Sequence, residues 1–326
     1  MKRATKLAGN IVQAGQKARY DAACRQLISN KAILAWILKG CVEEFYGCDI
    51  RDIAERYIEG TPEVGTVGVY PDETNEETPA AAGDTITGMN TEDTTMTEGK
   101  VTYDVRFYAL APRSREQIRL LLNVEAQGDF YPGYPLVKRG FYYCGRMVSA
   151  QYGTEFTGSH YENIRKVYSI WLCMNPPKRQ RNCIARYIIR KEDLIGEMQE
   201  KKENYDLLTV VMVYIGTEEE KNYSGILRLL DVLFTGRISA GQKLEILQRE
   251  FGIRMTEELE TEVEHMCNLS DLVERRGIEQ GMEQGAAQAN ARAVKNLMDR
   301  LKLTEEEAMQ VLRLSEADRE KCRRLL

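Results

Sequence analysis

The sequence predicts an α/β protein with a mixed central sheet flanked by helices and a mostly helical C-terminal region. Three observations carry this. An apolar stripe at helical spacing comes first, several apolar runs of strand length follow with helices between them, and from about Gly225 the pattern stays helical to the end. Residues from about Ala18 to Tyr46 read as helical, with Ile33, Leu34, Ile37, Leu38, Cys41, Val42 and Phe45 as the buried stripe and Asn30 available as an N-cap. A short helix from Ile50 to Glu59 should end at Gly60. Pro62 to Gly99 is rich in Thr, Gly, Pro and acid. It reads as a flexible loop or insertion, with a short strand at Val64–Val69, and is either disordered or a flap that orders on substrate.

Two strands are expected next, Lys100–Leu110 and Ile118–Gln127, joined by a polar link through Ala111–Gln117. A helix from about Leu136 to Tyr152 follows. Lys166–Met174 reads as a buried strand stopped by Pro176-Pro177, and Cys183–Ile189 and Leu207–Ile215 read as further strands. Leu227, Leu230, Val232, Leu233, Leu244 and Leu247 predict packed helices. Gly277, Gly281 and Gly285 punctuate a tandem Gly-Ile-Glu-Gln repeat. In a helix, residues four apart drift only ~40°, so the repeat is either a glycine face for self-association or a linker. Leu301–Leu326 reads as a short helical pair, with Thr304-Glu-Glu-Glu307 as a capping box.

The 326 residues suffice for one to three domains, and 43% hydrophobic with 29% charged content is ordinary for a globular chain. No apolar run reaches the ~18–20 residues of a membrane span, and the basic start, Met1 to Gly9, has no long apolar core after it. The expectation is a cytoplasmic protein with no membrane partner. The eight cysteines include no C-x-x-C pair, which argues for reduced, mostly buried thiols. Two histidines, His160 and His265, are too few and badly placed for a zinc site or a Ser-His or Cys-His hydrolase. The formal net charge is -5. However, Val101–Arg190 holds 14 Lys/Arg against 6 Asp/Glu, a net of +8, while Pro62–Gly99 holds 9 acids and no base. A basic segment of this kind either attracts phosphates or is a solvated surface balanced by the acidic loop.

The chemistry-bearing constellation is Asp104 with Glu125-Ala126-Gln127. Glu125 and Gln127 are two apart and share a strand face. If the two strands are neighbours, that face also carries Asp104, and two carboxylates with an amide converge as a hard-cation site of the Mg²⁺ type.

Val101-Thr-Tyr-Asp104-Val-Arg-Phe-Tyr, Asn123-Val-Glu125-Ala-Gln127, Tyr134-Pro-Leu-Val-Lys-Arg139-Gly-Phe-Tyr-Tyr143 and Lys166-Val-Tyr-Ser-Ile-Trp-Leu, in this order and with the Gly-Ile-Glu-Gln-Gly tail, resemble the PD-(D/E)XK nuclease family transposases, close to the recombination-promoting nucleases. The resemblance covers about Ala18 to Gly285. It implies a restriction-endonuclease-like core over residues 1–220 with the acidic insertion 62–99, a helical extension over 221–275, and the repeat and tail over 276–326. It also implies Mg²⁺-dependent (or Mn²⁺-dependent) endonuclease action on DNA, linked to recombination or transposition. The alternative is a nuclease-fold protein that no longer cuts and binds DNA or a protein partner.

Carried over, the resemblance makes Asp104 and Glu125 metal ligands and the Ala126 carbonyl a third oxygen. Gln127 stands where the wider superfamily has lysine. Glutamine can orient water but brings no charge and no general base, and Lys138 or Arg139 would supply the missing charge. Asp21 matches the family's first-helix acid best, with Glu43, Glu44 and Glu55 as alternatives. Arg113, Arg115, Lys138, Arg139, Lys178, Arg179 and Arg181 are candidates for contacts to the DNA backbone. Tyr131, Tyr134, Tyr142 and Tyr143 either stack on bases or pack. Self-association through the helical tail remains a third option.

Overall fold

The computed structural model describes residues 18–60, 62–64, 92–95, 99–113, 116–128, 130–219 and 221–323. Most of the acidic stretch 62–99 therefore lies outside the described residues. The chain divides into two compact units, Met1–Leu269 and Ser270–Leu326.

The first unit opens with helix α1 over residues 18–28. The helical stretch expected over Ala18–Tyr46 restarts at the expected cap, Asn30, whose Oδ1 accepts from the Ala32 N–H at 3.0 Å and starts α2, Lys31–Cys41. A side chain that satisfies an orphan N–H favours a new helix start over continuation. The next helix is shorter than expected. It comprises α3 (Ile50–Asp52) and a π turn, Ile53–Tyr57, after which Ile58 bridges to Ala109 and Gly60 takes φ +60°.

Among the described residues eight strands follow in sequence: β1 (Glu63–Val64), β2 (Glu92–Thr95), β3 (Gly99–Thr102), β4 (Val105–Arg113), β5 (Glu116–Gln127), β6 (Val167–Cys173), β7 (Cys183–Ile188) and β8 (Leu208–Tyr214). Six of them form one mixed sheet in the order β1-β4-β5-β6-β8-β7, and β2 and β3 pair separately. β4 and β5 are antiparallel neighbours, while β6 runs parallel to both β5 and β8. Two expectations are corrected here. The polar link over Ala111–Gln117 is mostly strand, because Ala111, Pro112 and Arg113 pair with Ile118, Gln117 and Glu116. The ladder is made by main-chain groups and tolerates polar side chains at the end of a hairpin. The strand expected over Lys100–Leu110 is cut at Tyr103–Asp104, where the chain leaves β3, paired to β2, and enters β4, paired to β1 and β5.

The two faces of the sheet carry separate cores. Leu120, Leu122 and Val124 of β5, with Tyr168, Ile170 and Leu172 of β6 and Val211 and Val213 of β8, pack against α1 and α2. They also pack against α5 (Gly225–Phe234), α6 (Ala240–Arg249) and the start of α7 (Glu257–Leu301). The alternate residues Trp171, Cys173, Val210 and Met212 pack against α4 (Leu136–Ser149). All seven residues of β6 are buried, as a central strand covered on both faces requires.

Helix α4 lies close to the sheet at Gly140, where an added Cβ would stand 2.6 Å from Val210 Cγ1 and 3.2 Å from Trp171 Nε1. The second unit packs Ala291 and Val294 of α7 against Ala308 and Met309 of α8 (Glu305–Val311) and Cys322 of α9 (Glu316–Arg323). The capping box at Thr304 and Glu307 is present. The glycine repeat falls within α7, and its side chains lie outside the described residues. All eight cysteines are free thiols. Among the described residues no helix is long and apolar enough to cross a membrane.

Candidate active site

Asp104 occupies the two-residue break before β4, so it does not share a strand face with Glu125 as the sequence suggests. Its carboxylate instead continues the ladder past the end of the strand. Oδ2 accepts from the Ala126 N–H at 2.9 Å, and its own N–H donates to Glu125 Oε1 at 3.1 Å. The two acids are brought together by main-chain hydrogen bonds. Tyr103 anchors the break, fully buried, with its ring 5.3 Å edge-on from Tyr143 of α4.

A chain of hydrogen bonds orients Glu125. Trp171 Nε1 donates to Ser169 Oγ at 2.9 Å, Ser169 Oγ to Asn123 Oδ1 at 3.0 Å, and Asn123 Nδ2 to Glu125 Oε1 at 2.7 Å. Asn123, Ser169 and Trp171 lie on the α4 face of neighbouring strands. Asn123 and Ser169 are fully buried, and buried polar groups of this kind hold their neighbours rigidly when every member is paired.

Charge is arranged around the pair. Burial pushes the Glu125 carboxyl well above the usual range, and the Asp104 charge pushes it further; Arg139 opposes both. Burial also raises Asp104, against the Ala126 N–H and Arg25. Arg25 of α1 stands 3.4 Å from Asp104 Oδ1. Arg139, one residue before Gly140, is held by Tyr134 Oη at 3.0 Å and Tyr143 Oη at 2.6 Å, with its guanidinium 5.2 Å from the centre of the Trp171 ring. Burial works against the Arg139 charge, but Tyr143, Glu125 and Tyr134 together outweigh it.

The donor set fits a hard cation. Both Glu125 hydrogen bonds go to Oε1, leaving Oε2 for a ligand. The Ala126 N–H points towards Asp104, and a strand residue's C=O points to the same edge as its N–H. β4 starts only opposite Val124, so among the described residues no strand pairs with that edge at Ala126. No group of three or more His, Cys, Asp or Glu side chains converges among the described residues. A cation would therefore rest on two carboxylates, one main-chain carbonyl and water, as Mg²⁺ commonly does.

The remaining site residues divide. Gln127 ends β5, and its carbonyl accepts from the Met174 N–H at 3.1 Å. Asp21 is one turn before Arg25 on α1. Cys24 between them has its thiol pushed up by burial first, then by Asp21 and, more weakly, by Asp104, which puts both acids in its neighbourhood. Of the alternatives, Glu44 is bound to Lys166 and to the Tyr168 hydroxyl, and Glu43 to Lys202 and Arg186. Lys166 lies at the start of β6, about 16 Å along the strand from Trp171, which pairs with Glu125. Glu55 is exposed in the π turn.

Lys138 is exposed on the first turn of α4. Lys178 and Arg179 are exposed in a 3₁₀ turn, and Arg181 donates to the Pro176 carbonyl at 3.3 Å. Arg113 is at the far end of β4, about 30 Å along the strand from Asp104, so it is not part of this cluster. Arg115 lies outside the described residues. Sequence reasoning missed Arg25, Asn123 and Ser169. Asn123 had a signal, a polar residue two before Glu125 inside an apolar strand. Arg25 had only its place one helical turn after Asp21. No family model, no curated protein and no solved structure matches this chain.

Proposed function

We propose that the chain is a divalent-metal-dependent endonuclease that hydrolyses DNA phosphodiester bonds, in the manner of the PD-(D/E)XK nucleases it resembles. The observation that carries the reading is the meeting of Asp104 and Glu125, with Arg139 beside them, at the carboxyl end of β5. Ligands of open α/β sheets bind outside the carboxyl ends of the parallel strands. Bound Mg²⁺ or Mn²⁺ would polarise a phosphoryl oxygen and make a coordinated water more acidic. Asp104, Glu125 and the Ala126 carbonyl would hold that cation. Arg139 offsets negative charge that builds on the phosphate. The Gln127 amide orients the attacking water without taking its proton. Lys138, Lys178 and Arg179 are exposed for contacts to flanking phosphates, which set affinity but not sequence choice.

The test is nicking of supercoiled plasmid with Mg²⁺ or Mn²⁺, with EDTA as control, by the wild type and by Asp104→Ala, Glu125→Ala and Gln127→Ala. Metal-dependent nicking that the first two substitutions abolish is expected. A folded wild type that cuts no DNA with any divalent metal would refute the reading. One observation favours a second reading, a nuclease-fold protein that binds DNA without cutting: Arg25 already engages Asp104 Oδ1, and the lysine position is a neutral Gln127. DNA binding with a steep salt slope and no cleavage would select it.

A further inference from the structure

On the α4 side of the sheet lies a cavity of about 500 Å³, lined by Phe130, Tyr131, Tyr134, Gln180, Met212 and Tyr214 among others. That volume falls in the usual range for a small-molecule site, ~300–1,000 Å³. Four of the six named residues are aromatic. Phe130 stands between two of them, 4.8 Å edge-on from Tyr131 and 5.9 Å from Tyr214. Gln180 adds an amide that can donate and accept.

The register of the sheet fixes where this cavity lies relative to the acids. Glu125 pairs with Trp171 and Trp171 with Met212, while Gln127 pairs with Cys173 and Cys173 with Tyr214. Directly paired residues share a face, so Met212 and Tyr214 lie two strands from Glu125 and Gln127, about 10 Å away. Tyr134 joins the two places: it lines the cavity, and its hydroxyl accepts from Arg139. Lys138 follows the lining residue Val137, and Lys178 and Arg179 precede Gln180, all three exposed.

We propose that this cavity holds one unstacked nucleobase of the DNA strand, next to the phosphate engaged at Asp104 and Glu125. The proposal rests on the nuclease reading and specifies it: the substrate is DNA with a base out of the duplex stack, either single-stranded or locally opened. An apolar aromatic slot takes the flat face of any base, and the three cations flanking it match the phosphates on either side.

The experiment is equilibrium binding by fluorescence anisotropy in Ca²⁺, with a short labelled oligothymidylate and an all-abasic strand of the same length. The wild type should bind the base-containing strand at least about tenfold more tightly. Tyr131→Ala should erase that preference and leave binding of the abasic strand unchanged. Tyr131 is 73% exposed, so its loss does not disturb the core. Phe130→Leu should reduce the preference in the same direction. Equal binding of both strands by the wild type, a preference that survives Tyr131→Ala, or no binding of either strand would overturn the proposal. The plasmid assay separates the two ideas. Nicking without base preference leaves the hydrolase and removes the pocket, whereas base preference without nicking leaves the pocket and removes the hydrolase.

Discussion

Glu125→Gln should make the metal-free protein more stable, and increasingly so as the pH rises. Glu125 is 4% exposed and accepts two hydrogen bonds at one oxygen, from the Asp104 N–H at 3.1 Å and Asn123 Nδ2 at 2.7 Å. A glutamine keeps that oxygen and removes the charge. Burial, and then the Asp104 carboxylate, hold the folded-state pKa of Glu125 above the ordinary value. For an acid raised on folding, the protonated form favours the folded state. That stability is complete below the unfolded value of ~4.3 and is lost as the pH climbs to the folded value.

Within that window the wild type gives up ~1.4 kcal/mol per pH unit from this group alone, and the amide gives up none. For a unit of this size that is roughly 3–6 °C of melting temperature per pH unit. The assay is thermal unfolding of both proteins in EDTA from about pH 4 to about pH 9, followed by circular dichroism. The difference between the two curves should open upward from the lower end of the range and then level. Added Mg²⁺ should raise the wild-type melting temperature at the alkaline end and leave the variant unmoved, because cation binding displaces the proton. Parallel pH profiles, or a variant less stable throughout, would refute the account of Glu125 as a charge held at a cost for a ligand.

Other consequences are equally direct. Gly140→Ala places a methyl 2.6 Å from Val210 Cγ1 and should cost about 1–3 kcal/mol by urea unfolding. It should also lower nicking activity, since Arg139 is the adjacent residue. Asn123→Ala removes one of the two donors to Glu125 and strands Ser169, for about 1–3 kcal/mol, and should weaken Mg²⁺ binding measured by calorimetry. Lys166→Met leaves Glu44 and Asp206 without the ammonium that sits 3.0 and 2.8 Å from them. A cost of about 3 kcal/mol is expected, with no change in cation affinity, because the network lies at the opposite end of β6 from the acids. Arg25→Ala should tighten Mg²⁺ binding if the guanidinium competes for Asp104 Oδ1, and unchanged affinity would remove Arg25 from the site.

The sequence by itself determined the elements whose physics is local. The apolar runs Leu120–Val124 and Val167–Cys173 define strands because they have strand length and a central strand is covered on both sides. Asn30 and Thr304 define helix starts because the cap is made within three residues. Even the pairing of β4 with β5, which brings Asp104 and Glu125 to the same end of the sheet, follows from two strands joined by a short connection.

The tertiary structure decided how the two acids meet. A local pattern could not foresee that the chain changes sheets at Tyr103–Asp104, because that depends on which strands lie on either side. It is this break that turns the Asp104 carboxylate onto the Ala126 N–H. Asn123, Ser169 and Arg139 joined the site through residues 46 positions apart on neighbouring strands and through a helix pressed onto Trp171 at Gly140. The raised pKa of Glu125 belongs to that assembled environment, since burial and a facing charge exist only once the sheet, α1 and α4 have closed around it.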